Sequence, residues 1–261
     1  MKVRLSFVGL VILFALFISP RIAQANGYKI LAVKSAKATA MGEAFIVQAD
    51  DPSAIAFNPA GLAQLDGEQF SAQVTLCDQF TDYESPSGQT AHNEDQWQAV
   101  PALYATTDFG RDDLGAGIGI TFPNGLSSEW AEDSFARYVT TYSKLIVADI
   151  TPALGLRLSD HWMIGGGVDI YYSEANLESM VDLGLANGAP GAMDTKSELK
   201  GDGSAVGYNL GAIYTVNPRH GFALTFHAPY TIDYDGDLTM GGICSDMSTP
   251  FDFPASVVAG Y

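Results

Sequence analysis

The sequence predicts an all-β protein: a transmembrane antiparallel β-barrel with a small α-helical N-terminal hatch plugging its lumen. Three observations carry the barrel, and the segment before it carries the hatch. From Gln69 onward, apolar residues recur with a period of 2. The clearest alternating stretch, Trp162 to Tyr172, has 11 residues. Membrane-crossing strands need about 9–11, whereas strands of soluble proteins typically have about 5–6. Finally, short turns alternate with long polar connections, the habit of a barrel whose two rims face different compartments.

The composition suits many short strands joined by glycine turns. Charged residues make up 16% of the 261 residues, and there are 27 glycines. The formal net charge of −17 argues against a nucleic-acid binder, which needs clustered Lys and Arg against phosphate.

Taken in order, the chain opens with Lys2 and Arg4 and an uninterrupted apolar run from Phe7 to Ile18. Ala23-Gln24-Ala25 follows. This reads as a signal peptide over residues 1–25, cleaved before Asn26, with an uncleaved anchor as the alternative. The run is shorter than the ~20 residues of a spanning helix. Export permits a disulfide between Cys77 and Cys244, although two unpaired thiols are the expectation.

Residues 26–66 form the next unit. Within it, ADDPSAIAFNPAGLA (49–63) carries two proline-led starts, Asp51-Pro52 and Asn58-Pro59. They predict short helices over Pro52 to Phe57 and Pro59 to Leu65, with a break between them. Ser35 to Phe45 is also helix-tolerant. The unit has too little mass for a core of its own. It therefore packs into the lumen of the barrel at 67–261, or lies as an arm on its surface.

About eight strands are expected, near 69–77, 97–107, 113–123, 144–158, 161–174, 204–216, 221–234 and 253–261. In the fifth, Trp162, Ile164, Gly166, Val168, Ile170 and Tyr172 face out, and Met163, Gly165, Gly167, Asp169 and Tyr171 face in. In the fourth, Ile146, Ala148, Ile150, Leu154, Leu156 and Leu158 face out, against Asp149, Thr151, Gly155 and Arg157. Val206 to Tyr214 repeats the pattern, and in the seventh strand Phe222, Leu224, Phe226, Ala228 and Tyr230 face out, against Thr225 and His227. The long connections span residues 78–96, 124–143 and 178–203, and their acids read as solvated loop surface.

Several motifs together resemble the family of FadL, OmpP1 and TodX outer-membrane transporters of hydrophobic compounds. ATAMGEAFIVQADDPSAIAFNPAGLA resembles that family's N-terminal hatch, with Asn58-Pro59-Ala60 on its NPA motif. GAGIGITFPNGLSSEWAEDSFARY (115–138) resembles its third strand and first large loop, with Ala136 where a glycine is usual. SDHWMIGGGVDIYYSEANLE, GYNLGAIYTVNPRHGFALTF and FPASVVAGY resemble its fifth strand, its sixth turn with the seventh strand, and its eighth strand. The family closes a barrel of fourteen strands. A barrel of about eight has room only for its own side chains, not for a hatch. The glycines of the inner faces also imply a lumen filled from elsewhere, so the chain reads as the front part of a longer protein.

The resemblance implies an outer-membrane channel of a Gram-negative bacterium. Long-chain fatty acids or aromatic hydrocarbons would pass by hatch-gated diffusion, with lateral release into the membrane. Its gating hatch would be Asn58, Pro59, Ala60 and Gly61, so that Asn58→Ala or Pro59→Ala leaves the barrel assembled but slows uptake. Its ligand groove and pocket would be Phe122, Leu126, Trp130, Phe135, Arg137, Tyr138, Leu177, Met180, Val181 and Leu185, for which packing between loops is the alternative. Arg137 would receive a ligand carboxylate, or else pair with Glu132 or Asp133. The lateral opening would lie at Gly115, Gly117, Gly119, Pro123 and Gly125, where Gly and Pro weaken the ladder. Partners would be the hydrophobic ligand, outer-membrane lipid and lipopolysaccharide, and barrel-assembly machinery, around a monomer with no cofactor and no metal.

Other chemistry finds no support. The glycines of GAGIGI alternate within a strand and open no helix. DYDGD (233–237) lacks the spacing of a calcium loop. The four histidines are scattered, and no nucleophile–base arrangement is present, so an enzyme is not expected. A general porin or a surface adhesin remains as an alternative function.

Overall fold

The structure, a computed structural model, describes residues 34–94, 97–125, 127–185 and 188–261. The expected signal peptide and Leu126 lie outside the described residues. Thirteen strands are present among those described: β1 (Gln69–Asp78), β2 (Asp82–Glu84), β3 (Thr90–His92), β4 (Trp97–Thr107), β5 (Leu114–Asn124), β6 (Ser127–Glu129), β7 (Tyr142–Arg157), β8 (Trp162–Asp182), β9 (Asp194–Asn217), β10 (His220–His227), β11 (Tyr230–Met240), β12 (Ile243–Phe253) and β13 (Ser256–Gly260). The main sheet is antiparallel and runs β1-β4-β5-β7-β8-β9-β10-β13, with β11 and β12 continuing β10 and β13 beyond two breaks. No ladder joins β1 to β13 among the described residues, so the sheet is open between them.

Residues 34–65 lie against one face of this sheet. They hold helix α1 (Ala36–Ala40), helix α2 (Ala54–Phe57) and a 3-10 turn over Pro59–Gln64. Eight strands laid flat would span roughly 34 Å, yet this short segment reaches all eight. The Ala36 amide donates to Gln73 Oε1 of β1 (2.8 Å), and Tyr104 Oη of β4 donates to the Lys34 carbonyl (2.7 Å). Arg157 of β7 donates to the Ala63 carbonyl (3.0 Å), and Asn58 donates to the Ala212 carbonyl of β9 (3.4 Å). Gly115 of β5 and Gly165 of β8 lie directly under the segment, as do Gly221 of β10 and Gly260 of β13. The sheet therefore curls around it, and the two together form the buried core of Phe45, Phe57, Met163 and Ile213.

The opposite face is apolar and open. Leu154, Leu156 and Leu158 of the β7 end and Trp162, Ile164, Val168, Ile170 and Tyr172 of β8 are each more than a third exposed. Ten residues of strand rise about 33 Å, and a tilt of about 40° reduces this to about 25 Å, the height of a lipid-facing band. So long a continuous apolar face is far larger than a soluble monomer exposes. Among the described residues no helix is long and apolar enough to cross a membrane, which says nothing of strands.

The in-and-out assignments of β7, β8 and lower β9 match the burial pattern, with Asp149, Thr151, Asp169, Tyr171 and Asn209 buried and Ile150, Val168, Ile170, Tyr172, Tyr208 and Leu210 exposed. Several expectations are corrected. The connection expected at 178–203 is mostly strand: β8 and β9 stay in register from Trp162↔Tyr214 to Asp182↔Asp194. Strands that project beyond lipid have water on both faces and lose the apolar–polar alternation. The connections at 78–96 and 124–143 likewise carry the β2–β3 hairpin and β6. The strand expected at 221–234 breaks at Ala228-Pro229, and the one at 253–261 breaks at Pro254, because proline supplies no ladder N–H. Past the first break the alternation resets: Ala228 is buried and Tyr230 packs on inward-facing Tyr171 instead of facing out. Cys77 and Cys244 are both free.

Candidate functional site

The helices of the N-terminal segment are shorter than expected, for local reasons. Asp51 Oδ1 accepts from the Ser53 amide (2.8 Å), opening the turn that leads into α2. Pro59 biases Asn58 away from helical geometry, so α2 stops at Phe57 and Asn58 is extended at φ −156°, ψ 100°. Asn58 Oδ1 then accepts from the Ala60 amide (3.1 Å), with Pro59 first in the 3-10 turn. Asn58 is fully buried, and its Nδ2 donates to the Ile46 carbonyl at 2.8 Å as well as to Ala212. One side chain thus caps a turn, ties it to the preceding loop and pins both to β9.

Pro59, Ala60 and Gly61 share this buried seat. A Cβ on Gly165 would lie 2.3 Å from the Pro59 carbonyl carbon, so only glycine lets the turn reach the sheet. Gly115, expected at a lateral opening, sits under the Leu62 carbonyl, and Gly117 and Gly119 sit under Ile55. Gly117 and Gly119 are paired to both β4 and β7, which corrects the weak pairing expected there. These three glycines seat the N-terminal segment.

The weakness in β5 lies higher. Its ladder to β4 covers only Ala116–Ile120 against Leu103–Thr107, while Trp97–Ala102 of β4 continue along β1. Its ladder to β7 skips from Thr121↔Asp149 to Asn124↔Val147, a bulge at Phe122-Pro123. Gly125 follows at φ +94°, a conformation other residues rarely adopt. The resulting window is closed at its far end by Gln98, whose amide exchanges hydrogen bonds with the backbone of Ser127 (2.6 and 2.9 Å). Pro123 and Gly125 thus border the window, and half-buried Phe122 lies in the bulge.

The structure splits the expected groove residues into separate groups. Trp130 packs with Ala91 and Ala136, and Phe135 stacks on Tyr83 at 5.4 Å. Arg137 Nε donates to Asp194 Oδ2 (2.9 Å), its Nη2 donates to Tyr138 Oη (2.8 Å), and Tyr138 Oη is 3.0 Å from Asp194 Oδ1. The Asp194 hydrogen bond holds the guanidinium above its usual pKa. The partner is therefore Asp194, at the start of β9, not Glu132 or Asp133. Arg137→Gln, Asp194→Asn and the double variant are each expected to lower thermal stability slightly, with the double variant losing less than the sum of the singles because both singles remove the Arg137–Asp194 pair; calorimetric scans check this. Leu177, Met180 and Val181 are in β8 rather than a loop. Leu177 lies in one cross-strand row with Leu199 and Leu238. Met180 and Val181 are consecutive in a strand, so they point to opposite faces and do not line one groove. Leu185 is exposed at the tip between β8 and β9.

Between the seat and the long-connection end lies a cavity of about 230 Å³ that the site expectations did not include. Its lining comes from Pro123 and Asn124 of the bulge, Asp149, Tyr171, His227, Tyr230 and Phe253. Below it, Asn209 Nδ2 donates to Asp169 Oδ1 (2.6 Å), and His227 Nδ1 is 3.9 Å from Asp169 Oδ2. The inward acids Asp149 and Asp169 were legible in the alternation. Tyr230 and Phe253 were not, because each adjoins a proline break; Pro229 and Pro254 were the available signal.

The comparisons agree with this architecture. Residues 16–246 match the family model described as outer membrane protein transport protein (OMPP1/FadL/TodX). A long-chain fatty acid transport protein of Escherichia coli O6:H1 is 27% identical over 232 residues, covering 78% of this chain and 51% of the relative. A protein of the same description from Salmonella typhi is 28% identical, covering 72% and 47%. The chain thus spans about half the length of these relatives. Among solved structures, a Pseudomonas aeruginosa FadL homologue superimposes with a TM-score of 0.68 at 17% identity, over 89% of this chain and 65% of that one. The Ralstonia pickettii toluene transporter TbuX gives 0.63 at 19%, over 80% and 62%. At these identities the structures show a shared fold.

Proposed function

Because the chain belongs to the OMPP1/FadL/TodX family of outer membrane transport proteins, we propose that it is the hatch-bearing part of an outer-membrane channel for hydrophobic small molecules. Long-chain fatty acids and aromatic hydrocarbons are the candidate cargo, since relatives are described as fatty acid and toluene transporters. The observation that carries this reading is the pairing of a plugged inner face with a window in the wall. Residues 34–65 fill the space inside the sheet, and β5 parts from β4 above Ile120, beside the cavity.

In the proposed path, ligand reaches the cavity from the long-connection end. Movement of the Asn58-Pro59-Ala60-Gly61 turn on its glycine seat opens the passage. Ligand leaves sideways at Phe122-Pro123, where the ladder is already interrupted and little backbone pairing must break. The acids and lone histidine around the cavity suit an uncharged ligand better than a carboxylate. Arg137, engaged with Asp194, shapes the outer cluster. Residues 26–66 would act as the hatch and 67–261 as barrel wall, in contact with outer-membrane lipid and lipopolysaccharide after insertion by assembly machinery. The transport is passive and no catalytic role is assigned.

The test is uptake by a host lacking its own hydrophobic-compound channel, expressing the complete protein. Labelled oleate or toluene is expected to enter and a small sugar is not. Sugar entry alone would make the protein a porin, and no entry through a correctly inserted barrel would leave a surface role.

A further inference from the structure

The aromatic lining of the cavity has an unusual arrangement. The Tyr230 ring lies between Tyr171 and Phe253, nearly parallel to both. The centroid distances are 3.8 Å at 13° and 4.5 Å at 10°. Aromatic pairs more often meet offset or edge-on. The two outer rings are buried, at 4% and 6% exposure, while Tyr230 is half-buried and borders open space.

Of the two walls, Tyr171 is the more firmly anchored. Tyr171 is in the middle of β8, paired on one side to Asp149 and on the other to Ala205. Tyr230 is the first residue of β11, immediately after the Ala228-Pro229 break. Its ladder to β12 starts at Phe253, but β11 does not rejoin β9 until Asp235. Tyr230 and Phe253 thus form the terminal pair of this ladder, and Tyr230 is the less buried of the two. Its hydroxyl accepts a hydrogen bond from Asn124 Nδ2 (3.1 Å), in the bulge that borders the window.

We propose that Tyr230 is the resting occupant of a slot for a single aromatic ring. Tyr171 and Phe253 are the walls, and an aromatic hydrocarbon displaces the Tyr230 ring to bind between them. This rests on the transport reading above and names its ligand class. The slot is one ring thick, and its walls already hold a ring of that shape. A cavity of about 150 Å³ is enough for benzene, and the space beside Tyr230 exceeds this. Displacement also breaks the Tyr230–Asn124 hydrogen bond, so the bound ring releases a contact that closes the bulge. The ligand thereby loosens its own way out.

The experiment is calorimetric titration of the complete protein in detergent with toluene and, separately, oleate. Tyr230→Ala empties the slot permanently and is expected to tighten toluene binding about tenfold, because a site no longer competes with its own side chain. Oleate affinity is expected to stay within about twofold, since a flexible chain gains little from two parallel ring faces. Tyr230→Phe keeps the ring, and is expected to leave toluene affinity within about twofold. No gain in Tyr230→Ala, or an equal gain in Tyr230→Phe, would overturn the slot. If Tyr230→Ala does not insert, Phe253→Leu removes one wall instead. It is expected to weaken toluene about tenfold and leave oleate unchanged, and equal losses for both would overturn the slot. A wild-type protein that binds neither ligand overturns the transport reading together with the slot. One that binds oleate but not toluene overturns the slot alone.

Discussion

Gly165→Val is expected to expel the Asn58–Ala63 turn from its seat while the strands stay paired. A Cβ at this position would lie 2.3 Å from the Pro59 carbonyl carbon and 2.4 Å from the Ala60 nitrogen, both backbone atoms of a buried turn. Neither can rotate aside as a side chain would. Overpacking a core usually costs about 1–3 kcal/mol, and a clash against backbone on both sides of a peptide bond belongs at the top of that range. The turn is held by a few hydrogen bonds worth about 0.5–1.5 kcal/mol each and by burial of mostly small side chains, whereas β8 is laddered along its length on both sides, so the turn should yield before the β8 ladder. β8 stays paired because its hydrogen bonds run sideways to β7 and β9, away from the added methyls. Two measurements check this. Protease should cut within residues 34–65 and spare the strands, and the inserted protein should conduct ions in a planar bilayer where the unaltered one is closed. A variant that resists protease and stays closed would mean the seat is not tight.

Asn58→Ala is expected to loosen the same turn without any clash. The cap on Ala60 contributes about 1 kcal/mol. Removing Nδ2 takes the donor from the buried Ile46 carbonyl, a loss of about 1–3 kcal/mol. Together these amount to about 2–4 kcal/mol, or roughly a 30- to 1,000-fold rise in the undocked population. Hydrogen exchange over residues 46–63 should accelerate by that factor while β7 to β9 remain protected. Ligand uptake should slow, because the turn no longer returns to one resting position. Unchanged exchange and unchanged uptake would together remove Asn58 from the gating role.

The two variants probe parts of the molecule that the sequence exposed to different degrees. The Asn58-Pro59 start was readable because proline and an N-cap act on their immediate neighbours. Its partner Gly165 was readable only as an inward glycine in an alternating strand. That the two touch follows from how far the sheet curls, which no local pattern encodes. Arg137 makes the same point from the other side. Two nearby acids, Glu132 and Asp133, looked like partners, yet Asp194 holds it, because the 3-10 turn at Phe135–Tyr138 docks beside the start of β9. Met180 and Val181 were grouped by hydrophobicity as loop residues, and their placement in β8 puts them on opposite faces.

By itself the sequence determined the β class, the membrane-length strands and which side chains of β7, β8 and lower β9 face lipid. Lipid on one face and a packed interior on the other impose alternation residue by residue, so the pattern is local and legible. It also determined the hatch-like turn, through proline and asparagine acting within a few residues. Tertiary structure alone decided the rest: that the N-terminal segment fills the curl of the sheet, that β5 parts from β4 above Ile120, and that Tyr230 turns inward between Tyr171 and Phe253. Each of these depends on contacts between strands far apart in the chain. At the proline breaks the period of 2 restarts with no memory of the face it had been following.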